Sequence, residues 1–349
     1  MAAVTAKEIA ERLGLSPSAV SLALNGRPGV SEQTRERVIE LANQLGYVLP
    51  GGSPPVEGHK RAICFMLYVD TLVSIAEHTS FSSFILKGIE AEASANAFQT
   101  VIRYLYAGKP LRQQAASVLK ESCAIVMLGT DFTERSRGEI EAFLEVASSV
   151  PIVVVDSFLF SDRVDCVGCD CSSGVRTLVR HLIEQGCGSI GYLRARQRIE
   201  SFDRREQGLY AALRSCGAEL GPVVELDVSS EGAFRDVDGW LCENPKLPDA
   251  FFAENDVVAA SAIRALTQHG VRIPEDVAIA GFDDIPISMM TVPPLTTVHA
   301  YKESIGRTAV KVLCQRLSGK QNTLAAQKSG LIKVELSTKL CVRGSTLRR

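Results

Sequence analysis

Residues 4–47 read VTAKEIAERLGLSPSAVSLALNGRPGVSEQTRERVIELANQLGY. Ile9, Ala10 and Leu13 recur at helical spacing behind Thr5, and Glu8 stands three residues after it as a capping box requires, so a short amphipathic helix is expected up to Gly14. Ser16 is placed to cap a second helix with Pro17 at its first position, turning Ala19, Val20, Ala23 and Leu24 inward. The loop Asn25-Gly26-Arg27-Pro28-Gly29 follows. Ser31 then opens a third helix through Thr34, Val38, Leu41, Ala42 and Leu45, stopped by Gly46. Three such helices, the first two joined by a tight Leu13-Gly14-Leu15 turn, make a helix-turn-helix whose second helix enters the DNA major groove. That reader helix, Pro17 to Leu24, turns Pro17, Ser18, Ser21 and Leu22 outward: hydroxyls for phosphates or bases, and a leucine for a thymine methyl. It has no arginine for a bidentate guanine contact. A small helical protein-interaction module is the competing use of the same core.

Charge contributes little to this reading. Residues 1–61 hold seven Lys and Arg against six Glu, and the whole chain of 349 residues carries a formal net charge of -2. The headpiece therefore rests on pattern, not on a basic field.

The stretch looks like the headpiece of the lactose repressor family, which includes purine and galactose repressors. The resemblance implies that Thr5, Ser16, Ser21, Asn25, Ser31 and Thr34 hold phosphates or support the fold, and that Pro17, Ser18 and Leu22 face base edges. Leu22 departs from the arginine often found there. The family continues into a hinge helix whose leucine wedges into the minor groove. Here residues 49–61 depart from that pattern: Leu49-Pro50-Gly51-Gly52-Ser53-Pro54-Pro55-Val56-Glu57-Gly58 has the composition of an extended linker, each interior proline costing about 3 kcal/mol in a helix. Val56 stands near the wedge position without a rigid helix behind it, so less DNA bending and weaker coupling are expected.

From Ala62 onward, apolar runs alternate with helical patterns. The runs are Ile63–Val69, Thr100–Tyr106, Ala124–Leu128, Ile152–Asp156, Ser189–Leu193, Val223–Val228, Ala250–Ala253 and Val277–Phe282. This predicts an α/β fold: a two-lobed, doubly wound parallel-sheet sensor after a small all-α helix-turn-helix domain. The expected domains are the headpiece 1–48, the linker 49–61 and a sensor 62–349. Within the sensor, one lobe takes about 62–157 and 288–320, the other about 158–287 and 321–349. A ligand belongs between them, beyond the carboxyl ends of the strands. The section resembles the periplasmic sugar-binding fold in the form this repressor family uses, with Arg205-Glu206-Gln207-Gly208-Leu209, Ala253-Glu254-Asn255-Asp256 and Gly281-Phe282-Asp283-Asp284 among its landmarks. Asp156, Arg205, Asn255 and Asp283 are read as strand-tip residues converging on a polyhydroxy effector, with capping of the following helix as the alternative. The resemblance puts the four in an effector pocket, Arg205 as a bidentate donor and Asp283 as an acceptor pair. Phe81 and Phe84 are candidates for a stacking wall or for core.

The chain has 10 cysteines, three of them close together in Asp165-Cys166-Val167-Gly168-Cys169-Asp170-Cys171. Strand alternation would place Cys169 and Cys171 on one face. Such thiolates can bind soft metals or form a redox pair, but no histidine stands at ligand spacing before His181, so structural thiols are the preferred reading and no metal or cofactor is expected. The chain contains no phosphate loop, Gly-x-Ser-x-Gly elbow or His-Glu-x-x-His helix, and is not expected to be an enzyme. With 46% hydrophobic and 22% charged residues, no membrane-length apolar run and no export signal, it is expected to be a cytoplasmic protein rather than a transport-type binding component. Its expected partners are double-stranded operator DNA, a sugar effector and a second copy of itself. A helix near Lys302 to Leu317 is expected to return to the first lobe, and no added heptad helix follows, which favours a dimer over a tetramer.

Overall fold

The structure is a computed structural model that describes residues 6–24, 29–31, 34, 37–38, 41–42, 62–70, 75–318 and 330–347. Thr5, Asn25 and the linker at 49–61 lie outside the described residues. The chain divides into two compact units, Met1–Lys60 and Arg61–Arg349.

In the first unit, α1 (Ala6–Leu13) and α2 (Pro17–Leu24) are separated by Gly14, whose φ of 64° is the left-handed conformation a helix-ending glycine adopts without strain. Ser16 Oγ accepts from the Ala19 amide at 3.2 Å, capping α2. Ser31 Oγ accepts from the Thr34 amide at 3.2 Å in the same manner, ahead of helical residues 34, 37, 38, 41 and 42. Ile9, Ala10, Val20, Ala23, Val38 and Ala42 form one buried core.

The second unit winds as strand and helix alternate. β1 (Ala62–Val69), α3 (Ile75–Ala95), β2 (Gln99–Tyr106), α4 (Leu111–Glu121), β3 (Ala124–Leu128), α5 (Arg137–Val146), β4 (Ile152–Val155) and β5 (Asp165–Cys169) build the first lobe. β3 and β4, Ala-Ile-Val-Met-Leu and Ile-Val-Val-Val, are buried throughout, as strands covered by helices on both faces must be. The second lobe follows: α6 (Cys171–Glu184), β6 (Ser189–Ala195), α7 (Glu200–Cys216), β7 (Glu219–Leu226), α8 (Ser230–Cys242), β8 (Ala250–Ala253), α9 (Asp256–Gln268), β9 (Ala278–Asp283), α10 (Ile287–Met290) and β10 (Thr296–His299). α11 (Lys302–Ser318) then packs against α3, and β11 (Lys333–Leu336) and β12 (Lys339–Cys341) finish the two sheets.

The strand orders are β11-β5-β4-β3-β1-β2 and β12-β10-β9-β8-β6-β7. All pairs are parallel except β10 with β12. This corrects the expected lobe limits. β5 lies in the first sheet, so the chain crosses near Asp170 and not at 157; β10 stays in the second sheet, so residues 288–299 do not belong to the first lobe; and β11 returns to the first sheet, dividing 321–349 between the two. Local pattern locates strands, but sheet membership depends on pairing. The return of α11 to the first lobe is as expected. An added Cβ at Gly88 would overlap the Glu303 carbonyl oxygen, and one at Gly306 the Ile85 carbonyl oxygen, so α3 and α11 touch backbone to backbone.

Candidate functional site

On α2, Pro17, Ser18 and Ser21 are exposed and Leu22 is half-buried. Leu22 Cδ1 would lie 3.1 Å from a Cβ at Gly29, so this side chain leans on the loop before Ser31. The Ser16 and Ser31 hydroxyls serve as caps, and Ser31 Oγ also lies 2.7 Å from Thr34 Oγ1. Such hydroxyls support the helices while their remaining lone pairs or protons face outward.

In the second unit a cavity of about 420 Å³, counted to its open mouth, is lined by residues of both lobes. Asp156 comes from the end of β4, with Thr130 beyond β3 beside it. Asn255 and Val257 stand where β8 runs into α9, and Asp283 and Ile285 at the end of β9. Phe81 of α3 and Ile199, Phe202 and Arg205 around the start of α7 complete the wall. The cavity thus has apolar surface around a few polar groups, the usual make-up of a small-molecule site.

The polar groups are held individually. Asp156 is buried and in a left-handed conformation with φ of 63°; Thr130 Oγ1 donates to its Oδ2 at 2.7 Å. Burial pushes its carboxyl up to about 7, against the opposing pull of the Thr130 bond and the Arg205 charge. Arg205 is 3% exposed. Its Nη2 donates to Asp283 Oδ1 at 2.8 Å, its Nη1 donates to the Glu254 carbonyl oxygen, and its guanidinium lies 3.9 Å from the Phe282 ring centroid. Arg205 Nε is buried with no hydrogen-bond partner. Asn255 Oδ1 accepts from the Val258 amide at 2.8 Å, capping α9, which leaves its amide nitrogen as the group to face a ligand. Asp283 and Asp284 have φ of 108° and 53°, positions non-glycine residues occupy at a cost of roughly 1–3 kcal/mol each. Lys302, first residue of α11, secures that turn by donating to both of their carbonyl oxygens.

Beneath the floor, Glu254 is fully buried and takes Arg198 Nη1 at 2.7 and 2.9 Å, the Ala195 amide at 2.6 Å and the Tyr192 hydroxyl. Burial raises its pKa even so. Asp256, also fully buried, accepts from the Ile285 amide at 2.9 Å and from Thr297. These two carboxylates fix the loops that carry Asn255 and Asp283.

The four polar residues expected to converge do line one cavity, but Arg205 reaches it from the second turn of α7 and not from a strand tip. Two of its five donors are spent on protein, and Nε is among the remaining three. Phe81 is in the wall. Phe84 is not among the cavity's lining residues; it is half-buried, 5.7 Å from Lys302 Nζ. Thr130, Ile199, Ser201 and Phe202 were not foreseen, although Thr130 follows its strand as Asp156 does. Of the three clustered cysteines, Cys169 and Cys171 come together and Cys166 does not. Cys169 ends β5 and Cys171 starts α6, so strand alternation does not apply to them, yet their sulfurs lie 3.4 Å apart, both buried. Cys166 points into a different core cluster, where burial pushes its thiol up to about 12.

Paired doubly wound lobes around a mixed polar cavity, in a chain that also folds a helix-turn-helix, define a ligand-sensing DNA-binding protein. Residues 5–49 match the family of bacterial regulatory proteins, lacI family, and residues 179–346 match the periplasmic binding protein-like domain. The chain is 28% identical to the HTH-type transcriptional repressor PurR of Haemophilus influenzae (strain ATCC 51907 / DSM 11121 / KW20 / Rd) over 355 residues, 98% of each protein. It is 27% identical to that organism's ribose operon repressor, over 90% of this chain and 92% of the relative. A solved complex of the transcriptional regulator CelR with cellobiose superposes with a TM-score of 0.70 at 25% identity, covering 98% of this chain and 99% of that one. The lac repressor dimer bound to operator and the anti-inducer ONPF shares the fold, with a TM-score of 0.69 at 23% identity, over 99% of this chain and all of that one. With a lacI-type headpiece, a periplasmic-binding-protein-like sensor domain and transcriptional repressors among its relatives, the chain is an effector-controlled transcriptional regulator similar to those of the lactose repressor family. The curated relatives named here are repressors, not enzymes. Among the described residues, no helix is long and apolar enough to cross a membrane.

Proposed function

We propose that the chain acts as a cytoplasmic homodimeric repressor whose grip on a roughly palindromic operator is released by a sugar bound in the cavity. The observation that carries the effector half is the arrival of Asp156, Arg205, Asn255 and Asp283 at one cavity from four separate elements. Asp156 and Asp283 supply acceptors for hydroxyls, Asn255 and the unpaired Arg205 Nε supply donors, and Phe81 and Phe202 offer ring faces to the carbon skeleton. The cavity is read as a binding site, not a catalytic one. At the DNA, Pro17, Ser18 and Leu22 face base edges. Ser16, Ser21, Ser31 and Thr34, with Thr5 and Asn25, hold phosphates or shape the headpiece. Two copies place two such helices about one helical turn apart.

The test is retention of genomic fragments by the purified full chain at physiological salt, with a chain lacking residues 1–48 as control, repeated with a panel of mono- and disaccharides and of purines. A palindromic site retained only by the full chain and released by one sugar is the expected result. Retention strengthened by a purine would replace induction with corepression. Equal retention by both chains would overturn the assignment of the headpiece.

A further inference from the structure

Away from the cavity, the last turn of α8 and the end of α9 bring three different metal-binding side chains together. Asp238 and Cys242 are four residues apart on α8, hence on one face, and that face is set by Val237 and Leu241, which are buried on the other side. His269 is the residue that ends α9; its amide donates to the Ala265 and Leu266 carbonyl oxygens at 3.2 and 3.1 Å, which fixes its backbone. His269 Nε2 lies 2.9 Å from Asp238 Oδ1, and one ligand atom from each of Asp238, Cys242 and His269 lies within 4.8 Å of the other two. The helices lie side by side, joined further back by Arg264 and Glu231 at 3.3 Å. The three ligands therefore belong to a surface held in place from beneath.

We infer that Asp238, Cys242 and His269 form a binding site for a divalent cation of the zinc class, joining the carboxyl ends of α8 and α9. Bonds of about 2.3 Å to sulfur and about 2.0–2.2 Å to nitrogen and oxygen place tetrahedral ligand atoms about 3.3–3.6 Å apart. The side chains reach that spacing from the present one by rotamer adjustment at an exposed surface. One nitrogen, one sulfur and one oxygen suit zinc or a neighbouring borderline ion. Magnesium and calcium want oxygen alone. On binding, the Cys242 thiol gives up its proton and His269 ligates as the neutral ring, with water in the fourth position. The sequence hides the site because 26 residues lie between Cys242 and His269 and only the packing of two helices joins them.

The experiment is a competition titration of the reduced, chelator-stripped full chain with zinc(II) against a chromophoric chelator, and in parallel with cobalt(II), whose thiolate ligation gives a charge-transfer absorption. One zinc per chain is expected. Cys242→Ser and His269→Gln should each weaken it by more than about 100-fold, beyond what the loss of an outer-sphere partner costs, and Cys242→Ser should also remove the cobalt–thiolate absorption. The pair Cys169→Ser/Cys171→Ser should leave both intact. Unchanged zinc affinity in Cys242→Ser and His269→Gln overturns the proposal, as does a cobalt–thiolate band that vanishes only when Cys169 and Cys171 are replaced. All three ligands are at the surface, so circular dichroism of the single variants is expected to match the parent.

Discussion

Asp156 shows how one residue links burial to ligand choice. Its carboxyl is held at about 7 in the folded protein, against 3.8 ordinarily. Between about pH 4 and pH 7 the native state keeps a proton that the unfolded chain has released. Stability therefore falls as pH rises across that window, by at most about 1.4 kcal/mol per pH unit, and levels off above it. Asp156→Asn should lose this slope, so that its stability relative to the parent improves between pH 5 and pH 7.5 in urea melts; parallel curves would show that the residue is not the titrating group. If the ionised carboxylate is the acceptor for an effector hydroxyl, sugar affinity of the parent rises over the same pH range while that of the variant stays low and flat. Arg205 is a different case. It pairs with Asp283 in a nearly closed environment, with side-chain exposures of 3% and 13%, and removing one partner strands the other. Arg205→Ala is expected to cost roughly 3–5 kcal/mol by chemical denaturation, together with the loss of sugar binding.

At the level of elements, Asn255 has two duties that a single atom swap separates. Its Oδ1 caps α9, and Asn and Asp cap about equally well. Asn255→Asp should therefore keep the cap but bind sugar weakly, having exchanged a donor for a carboxyl group. Asn255→Ala should lose both sugar binding and about 1 kcal/mol. A stable Asn255→Asp variant with unchanged affinity would reduce Asn255 to a cap. Helix packing gives a second case. α3 and α11 meet through Gly88 and Gly306 with backbone in the way of any Cβ, so Gly306→Ala should cost about 1–3 kcal/mol or more in thermal melts. The sequence displays such elements unevenly. β1, β3 and β8 begin or end within a residue of where their apolar runs predict, and the cap-and-proline signature of α2 matches its observed limits. β5 (Asp-Cys-Val-Gly-Cys) and β10 (Thr-Thr-Val-His) lack a clear apolar run, because neighbouring strands and helices supply their cover. The cavity was legible where a polar residue closes a strand, as at Asp156 and Asp283. It was illegible at Ile199 and Phe202, which face it only because of how α7 is laid on the second sheet.

At the scale of the molecule, the chain crosses between the lobes three times: from β5 to α6, from β10 to α11 and from β11 to β12. Neither lobe is a continuous segment, so neither can complete its sheet while the other is undone, and the sensor is expected to unfold in one transition. A ligand contacting Asp156 and Phe81 on one side and Arg205, Asn255 and Asp283 on the other binds only when both lobes are formed, and so stabilises that single transition. At a sugar concentration 100 times Kd the gain is about 2.7 kcal/mol. Because the headpiece residues form a core of their own, a chain beginning at residue 62 should show the same sugar-dependent rise in the sensor's melting temperature as the full chain, while losing operator retention. Calorimetry of both chains across a sugar titration measures this. A shift confined to the full chain would mean that the effector needs the headpiece, and two separately shifting transitions in the shorter chain would mean that the three crossings do not couple the lobes.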